Sequence, residues 1–120
     1  MDPLSRTETD PELSCLLTAW ETIRLQHKEV PAQAITVFLY VASHNPCHKQ
    51  AIEEDHGLTT ASCSRMIDFL CDGPGRKGVT TPGIGLVHKY TDPGNARRQK
   101  VRLTSKGEDI VRVIKRIIYG

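Results

Sequence analysis

Aromatic side chains are scarce, with one Trp, three Tyr and two Phe in 120 residues. A core built on large rings is therefore excluded, and one modest aliphatic core is what this length allows. No apolar run approaches the roughly 18 residues of a membrane span. The opening segment MDPLSRTETD holds no apolar stretch of the kind a secretory signal needs, so a cytoplasmic protein with no membrane partner is expected. The four cysteines (Cys15, Cys47, Cys63 and Cys71) form no CxxC pair, which speaks for free thiols over a disulfide framework. His44, Cys47 and His48 crowd into HNPCHK, but no fourth ligand stands at a suitable spacing, so no metal is expected. Catalytic patterns are missing as well. Glu53, Glu54 and Asp55 are adjacent with no matched nucleophile or base, and the five histidines follow no triad order. GPGRKG lacks the Ser or Thr and the strand–helix setting of a phosphate-binding loop. An enzyme is not expected, nor is a cofactor.

What the chain does carry is a steep separation of charge behind a net +2. Residues 1–72 hold eleven acids against five Lys/Arg, whereas residues 73–120 hold three acids against eleven. Such a gradient points to a polyanionic partner or to a partner subunit.

Residues 1–9 read as a flexible polar arm, and residues 10–120 as one domain. Asp10 and Pro11 form a helix start, followed by Leu13, Leu16, Leu17, Trp20 and Ile23 at helical spacing toward Leu25. That stripe is suited to a core or to a partner. Pro31 opens a second helix, in which Ile35, Phe38, Leu39 and Ala42 form the inner face and Val37, Tyr40 and Val41 widen it. Asn45 and Pro46 are read as the cap and first residue of a short third helix reaching about Glu54, with Ala51 and Ile52 inward. Gly57 breaks it, Leu58 anchors the turn, and Thr59 or Thr60 caps a fourth helix running to about Cys71. There Cys63, Met66, Ile67 and Leu70 point inward. Thr60, Ser62, Arg65 and Phe69 point outward, with Ser64 and Asp68 on the margins.

A helix, a short turn and a second helix with small hydroxyls and an arginine on its outer face form a helix-turn-helix able to approach a DNA groove. A glycine-rich loop, CDGPGRKGVTTPGI, follows and carries Arg76 and Lys77. Leu86–Tyr90 and QKVRLT are strand candidates, the second alternating Val101 and Leu103 with Lys100 and Arg102. Pro93, Gly94 and Asn95 mark the hairpin tip, in a loop read as too long for a two-residue turn. Thr104 is placed to cap a last helix, striped by Ile110, Val113, Ile114 and Ile117 and broadened by Val111 and Ile118. Helices, then a basic hairpin with Arg97, Arg98, Lys100 and Arg102 within six residues, predict a mainly α fold with a small β hairpin (α+β), a winged helix-turn-helix.

Residues 85–107, GLVHKYTDPGNARRQKVRLTSKG, resemble the wing and following helix start of MarR-type winged-helix regulators. Gly85, Leu86 and Val87 match the family's first strand, Asp92 and Pro93 open its wing, and Leu103, Thr104 and Gly107 match the strand end and helix start. TTASCSRMIDFL is similar to the recognition helix, and the likeness spans roughly residues 31–118. It implies that Arg97 enters or borders the minor groove. Three departures stand out. Asn95 replaces the aspartate that usually orients the wing arginine, the 71–84 connection is longer than usual, and a single helix follows the wing. A leaner dimer interface, made by the first and last helices, is expected.

The resulting expectation is sequence-specific binding of double-stranded DNA by a homodimeric transcriptional regulator, acting as a repressor. Thr60, Ser62, Ser64 and Arg65 are assigned to base edges or nearby phosphates, and Arg97 and Arg98 to the wing and minor groove. Lys100 or Arg102 would anchor phosphates, and Arg76 and Lys77 are further candidates. The alternatives are a winged-helix protein-interaction module in a larger assembly, or a regulator responding to a small-molecule effector or to oxidation. For oxidation, Cys15, Cys63 or Cys71 would have to be exposed with a lowered pKa.

Overall fold

A computed structural model describes residues 10–73 and 83–120. The arm at 1–9, and Arg76 and Lys77, lie outside the described residues.

Helix α1 spans Pro11–Arg24 and begins as expected, with Asp10 Oδ1 accepting from the Glu12 and Leu13 amides at 3.0 and 3.2 Å. Its apolar residues divide between two surfaces. Ala19 and Ile23 enter the core, while Leu13, Leu16, Leu17 and Leu25 are 58–68% exposed and Trp20 is 40% exposed. Of the two surfaces open to this stripe, the chain's own core takes only one edge. Helix α2, Ala32–Ser43, supplies the centre of the core through Ala34, Ile35, Val37, Phe38 and Val41. Leu39, expected inside, is instead exposed. The buried face is rotated so that Ala34 and Val37 take the inner positions.

The segment after α2 departs from expectation. Pro46 does not open a helix. Cys47–His48 form a short strand β1, and helix α3 runs Lys49–His56. Asn45 does not cap it, because its Oδ1 accepts from the Leu103 amide at 3.0 Å. Gly57 ends α3 in the left-handed region at φ 62°, where L side chains are strained. Helix α4 spans Thr60–Leu70, and Thr59 caps it by accepting from the Ser62 amide at 3.0 Å. Cys63, Ile67 and Leu70 are buried and Met66 is half-buried against them. Phe69, expected outward, is also half-buried and meets His27 edge-on at a 5.3 Å centroid distance. The α1–α2 connection thus covers a ring that period alone leaves in solvent.

Strands β2 (Val87–Asp92) and β3 (Asn95–Leu103) form the hairpin, and β1 adds to the other edge of β3 in the antiparallel order β1-β3-β2. The hairpin loop is shorter than expected. Asp92 pairs with Asn95 across the two residues Pro93 and Gly94. The next pair is Thr91 with Gln99, so the surplus residues, Ala96, Arg97 and Arg98, are taken up as a bulge in β3. Thr104 caps helix α5 (Ser105–Tyr119), accepting from the Gly107 amide at 3.0 Å and donating to the Gly85 carbonyl at 2.6 Å. Helix α5 packs along α1. It buries Ile114, half-buries Ile110, Val111 and Ile117, and leaves Val113 and Ile118 more than 40% exposed.

Candidate nucleic-acid interface

The first turn of α4 is fastened to α3 by polar contacts. The Thr60 hydroxyl donates to Glu53 Oε1 at 2.6 Å, and Lys49 Nζ lies 3.0 Å from Glu53 Oε2. The Thr60 hydrogen bond, followed by that of Lys49, holds the Glu53 carboxyl below its ordinary range. Thr60 is therefore a joint of the helix-turn-helix, with its hydroxyl proton already donated. Ser62 and Ser64 are half-buried and Arg65 is exposed. The Arg65 guanidinium donates to Ser62 Oγ at 3.2 Å, which leans it along the helix toward its N-terminus. That end of α4 presents free amides and one cation, both suited to anionic oxygen.

The wing is organised by two short side chains. Asp92 Oδ1 accepts from the Gly94 amide at 2.9 Å, and Asn95 Oδ1 accepts from the Arg97 amide at 3.1 Å. Asn95 thus orients Arg97 through its backbone, a service that needs no carboxylate charge. Arg97 and Arg98 are exposed, and no acidic partner meets either among the described residues. The bulge places both along one open groove of about 380 Å³ between the wing and the start of α3. His48, Lys49, Gln50 and Glu53 form the α3 side, with Thr91 and Gln99 on the wing side. Because Glu53 also holds Thr60, the groove runs up against the first turn of α4.

Lys100 and Arg102 are placed differently. They alternate with the buried Val101 and Leu103, so they stand on the outer face of the sheet, opposite Tyr90 and His88. From the inner face, Lys89 reaches Asp68 of α4 at 2.8 Å. The structure therefore unites Arg97 and Arg98 with the helix-turn-helix but puts Lys100 and Arg102 across the sheet from α4. Sequence reasoning missed His48, Lys49, Gln50 and Gln99 as groove residues. A polar N-terminus on α3 was visible in CHKQ, but its approach to the wing depends on β1 pairing with β3.

His44, Cys47 and His48 do not converge. His44 stacks on Tyr40 while Cys47 is buried beside Val101, and no cluster of three or more metal-ligating side chains occurs among the described residues. Burial raises the Cys47 and Cys63 thiols to about 11, the reverse of what an oxidation sensor requires. No helix among the described residues is long and apolar enough to cross a membrane.

No family model and no curated protein sequence matches the chain. Solved structures do. A crystal structure of MarR superposes with a TM-score of 0.59 at 16% identity, covering 90% of this chain and 75% of that one. A cysteine-to-serine mutant of MarR from E. coli, complexed with operator DNA, gives 0.58 at 16% identity, covering 91% and 74%. The PcaV transcriptional regulator from Streptomyces coelicolor, in complex with its natural ligand, gives 0.56 at 20% identity, covering 98% and 78%. With the helix-turn-helix, the bulged wing and the flanking α1 and α5 all in place, the chain has the winged helix-turn-helix fold of the MarR-type regulators.

Proposed function

We propose that the protein is a transcriptional regulator that binds double-stranded DNA as a homodimer and represses by occluding a promoter. The observation that carries this reading is the pair of exposed arginines without acidic partners among the described residues, Arg97 and Arg98, on a bulged wing beside the groove that leads to α4. Helix α4 would enter the major groove with Arg65 and the first-turn Ser62 and Ser64, while the wing arginines take the neighbouring backbone or minor groove. That a MarR mutant was solved with operator DNA supports the same use of the fold. The dimer reading rests on the exposed apolar stripe of α1 and on Val113 and Ile118 of α5, which lies alongside it. A patch of this kind is costly to leave in water.

The test is fluorescence-anisotropy titration of a random-sequence duplex with the parent and Arg97→Ala. If each wing arginine meets one phosphate, the variant removes two contacts per dimer and lowers the salt slope by about 1.8. Between about 50 and 200 mM salt the parent then weakens roughly tenfold more than the variant. Equal slopes would remove the wing from the interface. Absence of saturable binding by the parent would overturn the DNA reading and favour a protein-interaction module.

A further inference from the structure

His48 lies in the segment whose His44, Cys47 and His48 do not converge, yet its position is unusual. It is the second residue of β1, its Cα paired with Lys100 of β3. Its Nδ1 is buried and has no hydrogen-bond partner. The facing acid is Asp92, with Oδ2 3.8 Å from that nitrogen, beyond hydrogen-bond reach. Asp92 ends β2 at the point where the strand register slips, and its other oxygen holds the Gly94 amide of the wing turn. A bare ring nitrogen on the fixed edge of the sheet therefore looks across a narrow gap at the carboxylate that organises the wing. A neutral imidazole with its proton on Nε2 leaves that gap open. An imidazolium carries both a donor at Nδ1 and a positive charge, and Asp92 Oδ2 matches both.

We propose that His48 and Asp92 form a protonation-controlled clamp on the wing, closed when the imidazole is protonated and open when it is neutral. The surrounding charges allow it. From α3, Lys49 and Glu53 face the same groove, but they are engaged with each other and with Thr60. From β3, Lys100, Arg97 and Arg98 oppose a further positive charge, while Asp92 on β2 favours it and has His48 as its one cationic contact among the described residues. Closure ties the wing turn to β1, and through β1 to α3. If the protein binds DNA as proposed above, the clamp makes the wing better ordered, and its contribution to affinity larger, at lower pH. The clamp itself does not depend on that reading.

The experiment follows wing order in the full chain without DNA. NMR gives the titration of the His48 ring together with amide protection factors for Gly94 and Arg97, corrected for the intrinsic exchange rate. Between about pH 7.5 and 5.5, protection is expected to rise about fivefold, with the midpoint of the His48 titration. His48→Gln and Asp92→Asn should each abolish the rise, and the asparagine keeps an oxygen for the Gly94 amide. Protection that does not change with pH, or a rise that persists in either folded variant, overturns the clamp. If one variant fails to fold, the other decides. Because no DNA is present, failure of the DNA-binding reading shows separately in the anisotropy titration.

Discussion

Replacing Leu17 by alanine removes a side chain from the outer face of α1 while leaving the core of the protomer intact. Leu17 is 60% exposed, whereas Ile23, further along the same helix, is 2% exposed. Full burial of a leucine side chain is worth about 1.5–3 kcal/mol, so covering the exposed part of Leu17 would contribute about 1–2 kcal/mol per protomer. A two-fold interface uses the residue twice, which makes about 2–4 kcal/mol per dimer. The dimer dissociation constant of Leu17→Ala should accordingly rise roughly 30- to 700-fold. Alanine is at least as good a helix former as leucine, so the variant's far-ultraviolet circular dichroism should match the parent's. Sedimentation equilibrium over a concentration series measures both constants. Ile23→Ala is the contrast, because it should lower the protomer's own stability by about 2–5 kcal/mol through a cavity in the core. A parent that sediments as a monomer at every concentration, or a Leu17→Ala variant with an unchanged constant, would refute the assignment of this face to a second copy.

Three further outcomes follow from individual contacts. In Gly107→Ala the new Cβ would run into the Leu86 carbonyl oxygen, so the start of α5 must shift off the segment that leads into β2. Urea unfolding should show a loss of about 1–3 kcal/mol with an unchanged m-value, and an unaltered midpoint would refute the close approach. Cys47 and Cys63 are buried, with thiols pushed up to about 11, and Cys71 is buried too. A disulfide reagent at mildly alkaline pH should therefore modify Cys15 first and the other three at the rate of unfolding, read by peptide mass spectrometry. Glu53 has a folded pKa below its ordinary 4.5, so its stabilisation is complete above that value and is lost as the pH falls through the depressed folded one. Glu53→Gln should lower the melting temperature by a constant amount from neutrality down to about pH 5, and the difference should close in stronger acid. A difference that grows with acidification would contradict the sign.

Capping chemistry and side-chain period settle much of this chain locally. Asp10, Thr59 and Thr104 cap helices because each sits one residue before a helical pattern and offers an oxygen to the first-turn amides. The alternation of Val101 and Leu103 with Lys100 and Arg102 fixes which face of β3 is wet, and the arginine pair identifies the wing as cationic before any fold is known. The partners of Glu53, Asn45 and Asn95 were not legible, because each is chosen by an element distant in sequence or by a turn whose length its residues do not announce. Strand β1 is the clearest case. Two residues carry no period, and Cys47 and His48 become a strand only because β3 offers Val101 and Lys100 to pair with. The bulge likewise arises from β2 and β3 meeting in register around Pro93 and Gly94, which forces the surplus residues, and both arginines with them, out of the ladder. On α1 the sequence determined an apolar stripe but not its destination. Only the tertiary structure decided that α5 and the core cover Ala19 and Ile23 and leave Leu13, Leu16 and Leu17 for another surface, since burial depends on which neighbours fold back and not on period.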